Sequence, residues 1–167
     1  MKSLWTPWRR GYVLGGKAPG CLLCIKKQEP VEKDRENYIL YRGETCYILL
    51  NLFPYTNGHL MIAPYLHQGN IERLDDKSLY ELMALTRGSV AALKRALSPS
   101  GFNIGMNLGK VAGAGIADHL HMHVVPRWQG DVNFMSVFAE TRLIPEALNT
   151  TYDELLPILA EEIPGMK

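Results

Sequence analysis

Apolar side chains recur at every second position in several short runs of this chain, and at helical spacing in two longer ones. Period two marks half-buried strands, and a period near 3.6 marks amphipathic helices. The run YILYRGETCYILLNL predicts two strands, about 38–42 and 45–51, joined by a tight turn at Gly43-Glu44. HLMIAP predicts a third strand near 59–64, GFNIGMNL a fourth and HLHMHVVPR a fifth, with TRLI adding a short one. A helix is expected from about Asp75 to Leu97: Leu79, Leu82, Met83, Val90, Leu93 and Leu97 follow helical spacing, and Asp75 can cap it. A final helix is expected over about 145–163, opening at Pro145 and bent or interrupted at Pro157. The charged run KKQEPVEKDRE, 26–36, reads as a solvated loop. Hairpin-type connections with helices in separate blocks predict an α+β fold: an antiparallel sheet of about five strands with helices packed mainly on one face.

No linker or repeat divides the 167 residues, so one domain is expected over 1–167, with an N-terminal extension (about 1–25) and a C-terminal helical segment (about 145–167). A net charge of +1 gives no electrostatic reason to expect a nucleic-acid or membrane surface. No apolar run approaches the roughly 18 residues of a membrane span. The start MKSLWTPWRR carries charge and tryptophan where a signal peptide would be apolar, so a cytoplasmic location is expected.

The fifth strand changes the picture. His119, His121 and His123 alternate with Leu120, Met122 and Val124, so three imidazoles share one face. Three adjacent rings cannot all be protonated without repulsion, and burial opposes their charging further. The row needs a metal ion, an anion such as phosphate, or a hydrogen-bond chain. The loop before it, GKVAGAGIAD, contains Gly109, Gly113 and Gly115, which let backbone N–H groups converge on an anion. Together they favour a phosphate held by amides while a neutral imidazole attacks phosphorus.

Three cysteines, Cys21, Cys24 and Cys46, do not suggest a disulfide framework. Cys21-x-x-Cys24 reads as a redox pair, half of a tetrahedral zinc site, or small packing residues; Cys46, inside a predicted strand, reads as core.

His119-Leu120-His121-Met122-His123-Val124-Val125, followed by Pro126-Arg127, resembles the motif of the histidine triad (HIT) nucleotide-binding family. LLNLFPYTNGHLMIAPYLH and GFNIGMNLGKVAGAG resemble that family's Asn…Pro…Gly-His stretch and its phosphate loop. LWTPWRRGYV, CLLC and PRWQGDVNFM resemble its bacterial branch of diadenosine tetraphosphate phosphorylases and hydrolases, and the likeness runs over about residues 4–135. The resemblance implies a nucleotidyl hydrolase or transferase acting on dinucleoside polyphosphates, with water or orthophosphate as acceptor. His121 would be the nucleophile forming a nucleotidyl-histidine, His123 would contact phosphate oxygens or the leaving group, and His59 would buttress the triad. Asn51 would lie beside the ribose hydroxyls, Asn107 near the phosphates, and the backbone of Gly113, Ala114, Gly115 and Ile116 would form the phosphate loop.

The resemblance also implies a structural zinc held by Cys21, Cys24, His67 and His119, and a homodimer. Where many relatives carry Gln and then Ser or Thr before the triad, this chain has Ala114 and Gly115, so amides, Lys110 or Asn103 must replace those side chains. The competing expectations are a nucleotide-binding regulatory module with little turnover, a hydrolase of nucleoside phosphoramidates, and a metal-dependent enzyme that uses His119, His121 and His123 together as ligands. Trp5 and Trp8, beside Arg9, are expected to pack the N-terminus over the sheet, and Trp128 is expected to border the pocket.

Overall fold

The computed structural model describes residues 20–131 and 146–163. Trp5, Trp8, Arg9, the TRLI segment and Pro145 lie outside these residues. Five strands form one sheet: β1 (Ile39–Arg42), β2 (Cys46–Leu50), β3 (Leu60–Pro64), β4 (Gly101–Met106) and β5 (Met122–Arg127). Their spatial order is β1-β2-β3-β5-β4, and every neighbouring pair is antiparallel.

Among the described residues four α-helices accompany the sheet: α1 (Leu22–Gln28), α2 (Asp34–Asn37), α3 (Asp76–Leu97) and α4 (Leu148–Glu162). The two long ones share a face. Leu40, Ile48, Leu50, Leu60, Ile62, Met122 and Val124 point at Leu82, Leu85 and Leu93 of α3 and at Tyr152, Leu155 and Leu159 of α4. Burying each such aliphatic side chain contributes about 1.5–3 kcal/mol, so this layer is the main source of stability. Cys46 belongs to it, fully buried, as expected. Asp75 caps α3 as its sequence suggests, its carboxylate accepting from Ser78 N at 2.8 Å.

Three expectations are corrected. Residues 26–36 are not a solvated loop: they contain the end of α1, a 3-10 turn (Val31–Lys33) and most of α2. Their order comes from distant partners. Arg42 donates to the carbonyls of Lys27 (2.8 Å) and Glu29 (3.0 Å) and pairs with Asp34 at 2.6 Å. The last helix begins at Leu148 rather than 145, and it runs through Pro157 without interruption. The carbonyl deprived of its donor belongs to Asp153; both residues are exposed, so water can serve it. The fifth strand begins at Met122, which leaves His119 and His121 ahead of the ladder.

The opposite face of the sheet is smaller. Leu23 of α1 packs there against Ile39, Tyr47, Leu49 and Ala63. Tyr47, fully buried, donates its hydroxyl to Leu23 O at 2.8 Å and stacks on Tyr65. Met61 and His123 are directly opposed in the β3–β5 register, so the His123 ring lies on this second face, away from the long helices.

Candidate active site and metal centre

The three triad rings do not converge on one point. Each finds a different partner, and the partner decides which nitrogen keeps its proton. His119, fully buried, bonds Pro64 O through Nε2 at 2.8 Å. A carbonyl only accepts, so Nε2 carries the hydrogen and the Nδ1 lone pair is free. His121 Nδ1 lies 2.9 Å from His119 O, so the same logic puts its hydrogen on Nδ1 and leaves Nε2 as a bare lone pair.

His59 is fully buried just before β3. Its Nδ1 accepts the backbone N–H of Tyr55 at 3.1 Å and lies 3.3 Å from Asn51 Nδ2. Nε2 therefore carries the hydrogen and donates to His123 Nδ1 at 2.9 Å. His123 is left with a hydrogen on Nε2. Burial, and then the neighbouring His121, push its pKa down to about 4, so it stays neutral at neutral pH. The His121 and His123 ring centroids are 4.8 Å apart, which sets a lone pair beside an N–H donor.

Nδ1 of His119 points into the expected cysteine cluster. Cys21, Cys24, His67 and His119 offer ligand atoms that all lie within 4.8 Å of one another. His119 Nδ1 is 3.3 Å from Cys21 Sγ, 3.5 Å from Cys24 Sγ and 3.3 Å from His67 Nδ1, and Cys24 Sγ is 3.3 Å from His67 Nδ1. Tetrahedral zinc with ordinary Zn–S and Zn–N bonds spaces its ligands by about 3.3–3.8 Å, so this cage fits such an ion. Burial and the adjacent Cys21 push the Cys24 thiol up, a repulsion that a cation between the sulfurs would relieve. The Pro64 carbonyl orients the His119 ring so that Nδ1 faces this cage. A metal held jointly by His119, His121 and His123 does not fit, because their nitrogens are turned to separate partners.

The glycine loop is also particular about its amides. Gly113 N donates to Lys110 O at 3.0 Å and Ala114 N to Gly109 O at 3.4 Å, inside the loop. Gly115 and Ile116 have no such bond among the described residues and remain available to an anion. Asn107 Nδ2 abuts Gly113, 3.9 Å from where a Cβ would stand. Asn51 spends its side chain on Phe53 N (3.0 Å) and His59. Asn103 accepts from Arg127 at 2.8 Å through Oδ1, which leaves its amide N–H groups uncommitted by that bond; Lys110 is exposed at the start of the 3-10 turn Lys110–Ala112. Trp128 donates its indole N–H to Leu97 O at the end of α3, on the long-helix side rather than at the triad.

Sequence reasoning missed Tyr55, whose ring lies 4.7 Å from His59 and 6.0 Å from His123 and whose amide fixes the His59 tautomer. An aromatic between Asn51 and His59 was its only signal. It also missed Gly69, which brings the His67 loop against the chain entering the triad; Gln68 O there accepts Leu120 N at 2.7 Å.

A family model of the HIT domain matches residues 32–130. The chain belongs to the HIT domain family. This HIT protein is 39% identical over 159 residues to the AP-4-A phosphorylase of Mycobacterium tuberculosis, an alignment covering 90% of this chain and 80% of that protein. Its fold matches a zinc-bound histidine triad family protein from Mycobacterium smegmatis with a TM-score of 0.67 at 26% identity, over 85% of this chain and 94% of the other. The diadenosine triphosphate hydrolase of Plasmodium falciparum shares the fold at TM-score 0.61 and 17% identity, covering 79% and 80%. No described helix of the HIT protein is long and apolar enough to cross a membrane.

Proposed function

We propose that this HIT protein cleaves dinucleoside polyphosphates of the diadenosine tetraphosphate type by nucleotidyl transfer through His121. The observation that carries the reading is the hydrogen bond from His121 Nδ1 to His119 O, which puts the hydrogen on Nδ1 and leaves Nε2 with its lone pair. In the first step a bond forms between that nitrogen and the α-phosphorus, and the phosphorus–oxygen bond to the nucleoside triphosphate breaks. His123, with its hydrogen on Nε2, donates to the phosphate or leaving oxygen. The Gly115 and Ile116 amides receive the developing negative charge, with Asn107 close by, while Asn51 lies toward the ribose. In the second step orthophosphate or water attacks phosphorus and releases ADP or AMP, and the imidazole is regenerated. The relationship to the M. tuberculosis phosphorylase supports orthophosphate as the acceptor.

Zinc is the ion the cage suits: Cys21, Cys24, His67 and His119 would hold it, and it would clamp α1 to the triad segment without taking part in the chemistry. The exposed outer edge of β4, at Asn103, Ile104 and Gly105, supports a homodimer that extends the sheet. The cytoplasm, where thiolates stay reduced, suits the site.

The test is product analysis with diadenosine tetraphosphate. Wild-type protein should yield ATP and ADP with orthophosphate, or ATP and AMP without it, and His121→Ala should yield neither while folding normally. No turnover of diadenosine tetraphosphate or triphosphate under both conditions would sink the proposal.

A further inference from the structure

The groups that hold the His59 ring do not all lie in the site. Tyr55, whose amide makes Nδ1 of His59 an acceptor, belongs to the loop between β2 and β3, and side chains remote from the triad fasten that loop. Thr56 Oγ1 donates to Pro126 O at 2.8 Å. Asn57 Nδ2 donates to Glu146 Oε2 at 2.8 Å. The Thr151 hydroxyl lies 3.0 Å from Asn57 Oδ1 and 2.7 Å from the same Glu146 oxygen. Thr151 is 1% exposed in the first turn of α4. Gly58 then turns with a φ of +71° against Leu93 and Leu97 and delivers His59.

We infer that Asn57 and Thr151 are positioning residues, through which the C-terminal helix α4 holds the Tyr55 amide in place and so selects the protonation pattern of the His59–His123 pair. The link to turnover rests on the nucleotidyl-transfer reading above; the link to the tautomer does not. With the Tyr55 N–H aimed at Nδ1, His59 keeps its hydrogen on Nε2, donates to His123 Nδ1, and leaves His123 with an outward Nε2–H. If that amide drifts, the longer Asn51 contact at 3.3 Å is a weaker hold on the Nδ1 lone pair, and the other tautomer gains ground. In that tautomer His59 Nε2 offers a lone pair to His123 Nδ1, which must then hold the hydrogen. His123 Nε2 becomes an acceptor facing an anionic substrate. The proton count is unchanged, yet the donor has vanished.

Thr151→Val removes the hydroxyl at nearly constant shape, Thr151→Ser returns it, and Asn57→Ala removes the loop side of the bond. Nitrogen-15 shifts of the His59 and His123 rings, in ligand-free protein at neutral pH, read the tautomers directly. Thr151→Val and Asn57→Ala should each give His59 a mixed tautomer and lower kcat on diadenosine tetraphosphate about tenfold, with KM within about twofold. Thr151→Ser should restore both readings, and His121→Ala should abolish turnover while leaving the His59 tautomer alone. Should Thr151→Val fail to fold, Asn57→Ala supplies the same two readings. His59 ring shifts unchanged in the folded variants would overturn the inference, whatever happens to their melting temperature. A wild-type protein without turnover whose His59 still responds would refute the functional reading and uphold this one.

Discussion

Gly69 carries the His67 loop past the chain that leads into the triad. A methyl group there would stand 2.6 Å from Ala117 O and 3.2 Å from Asp118 Cα. Both are backbone atoms, so neither can rotate away as a side-chain end would. Restoring ordinary contact near 3.4 Å requires a shift of about 0.8 Å between the two segments. The adjacent bond from Leu120 N to Gln68 O, now 2.7 Å, would stretch out of range. Overpacking costs about 1–3 kcal/mol and a lost bond about 1 kcal/mol, so Gly69→Ala should lower the unfolding free energy by about 2–4 kcal/mol. The displaced chain also presents His119 O, which orients His121, so kcat should fall about 10–100-fold. Urea denaturation, with the slope checked for constancy, gives the first quantity and product release from diadenosine tetraphosphate the second. A variant with the wild-type midpoint and wild-type kcat would refute the idea that this close approach places the nucleophile.

Tyr47→Phe should cost about 1–2 kcal/mol and loosen metal retention, because the lost hydroxyl holds Leu23 O in the first turn of α1, beside Cys21 and Cys24; chelator competition should show faster zinc loss, and equal retention would separate α1 from this bond. Glu81 accepts from the Glu44, Thr45 and Cys46 amides and from the Thr45 hydroxyl, clamping the β1–β2 turn. Burial raises its pKa, but the Thr45 hydroxyl and those amides outweigh it and hold the carboxyl below 4.5. Its contribution is therefore present above pH 4.5 and lost as pH falls through the lower folded value; Glu81→Gln should flatten that part of a stability–pH curve, and an unaltered curve would dismiss the clamp. His123 runs the other way. Its folded pKa of about 4 lies below the ordinary 6.5, so the unfolded chain binds more protons between these values. Its share of the decline in stability as pH falls across that window should be about 2 kcal/mol, allowing for solvent screening, and His123→Gln should remove that share while leaving the similar one of His119.

Alternation along the chain determined the strands and the face of His123, because neighbouring side chains on a strand must diverge; His119 and His121 lie ahead of the ladder, where that rule does not apply. The boundaries of α3 were equally legible, since the Asp75 cap and the apolar stripe are local signals. The triad and the Cys-x-x-Cys announced a type of chemistry, and folding brings Cys21, Cys24, His67 and His119, the expected zinc set, together. Helices α1 and α2, at seven and four residues, were too short to show a period. They are ordered by Arg42, which meets them only across the folded chain. The division of labour among the histidines was decided in the same way. His119 is turned toward the cysteines by Pro64 O, His121 by the carbonyl of His119, and His123 by a ring that the Tyr55 amide has already committed. Carbonyls and amides occur at nearly every residue and so leave no mark in the sequence. Which of them faces an imidazole nitrogen is settled only when the chain has folded, and that choice gives the three rings the different free nitrogens on which the proposed roles rest.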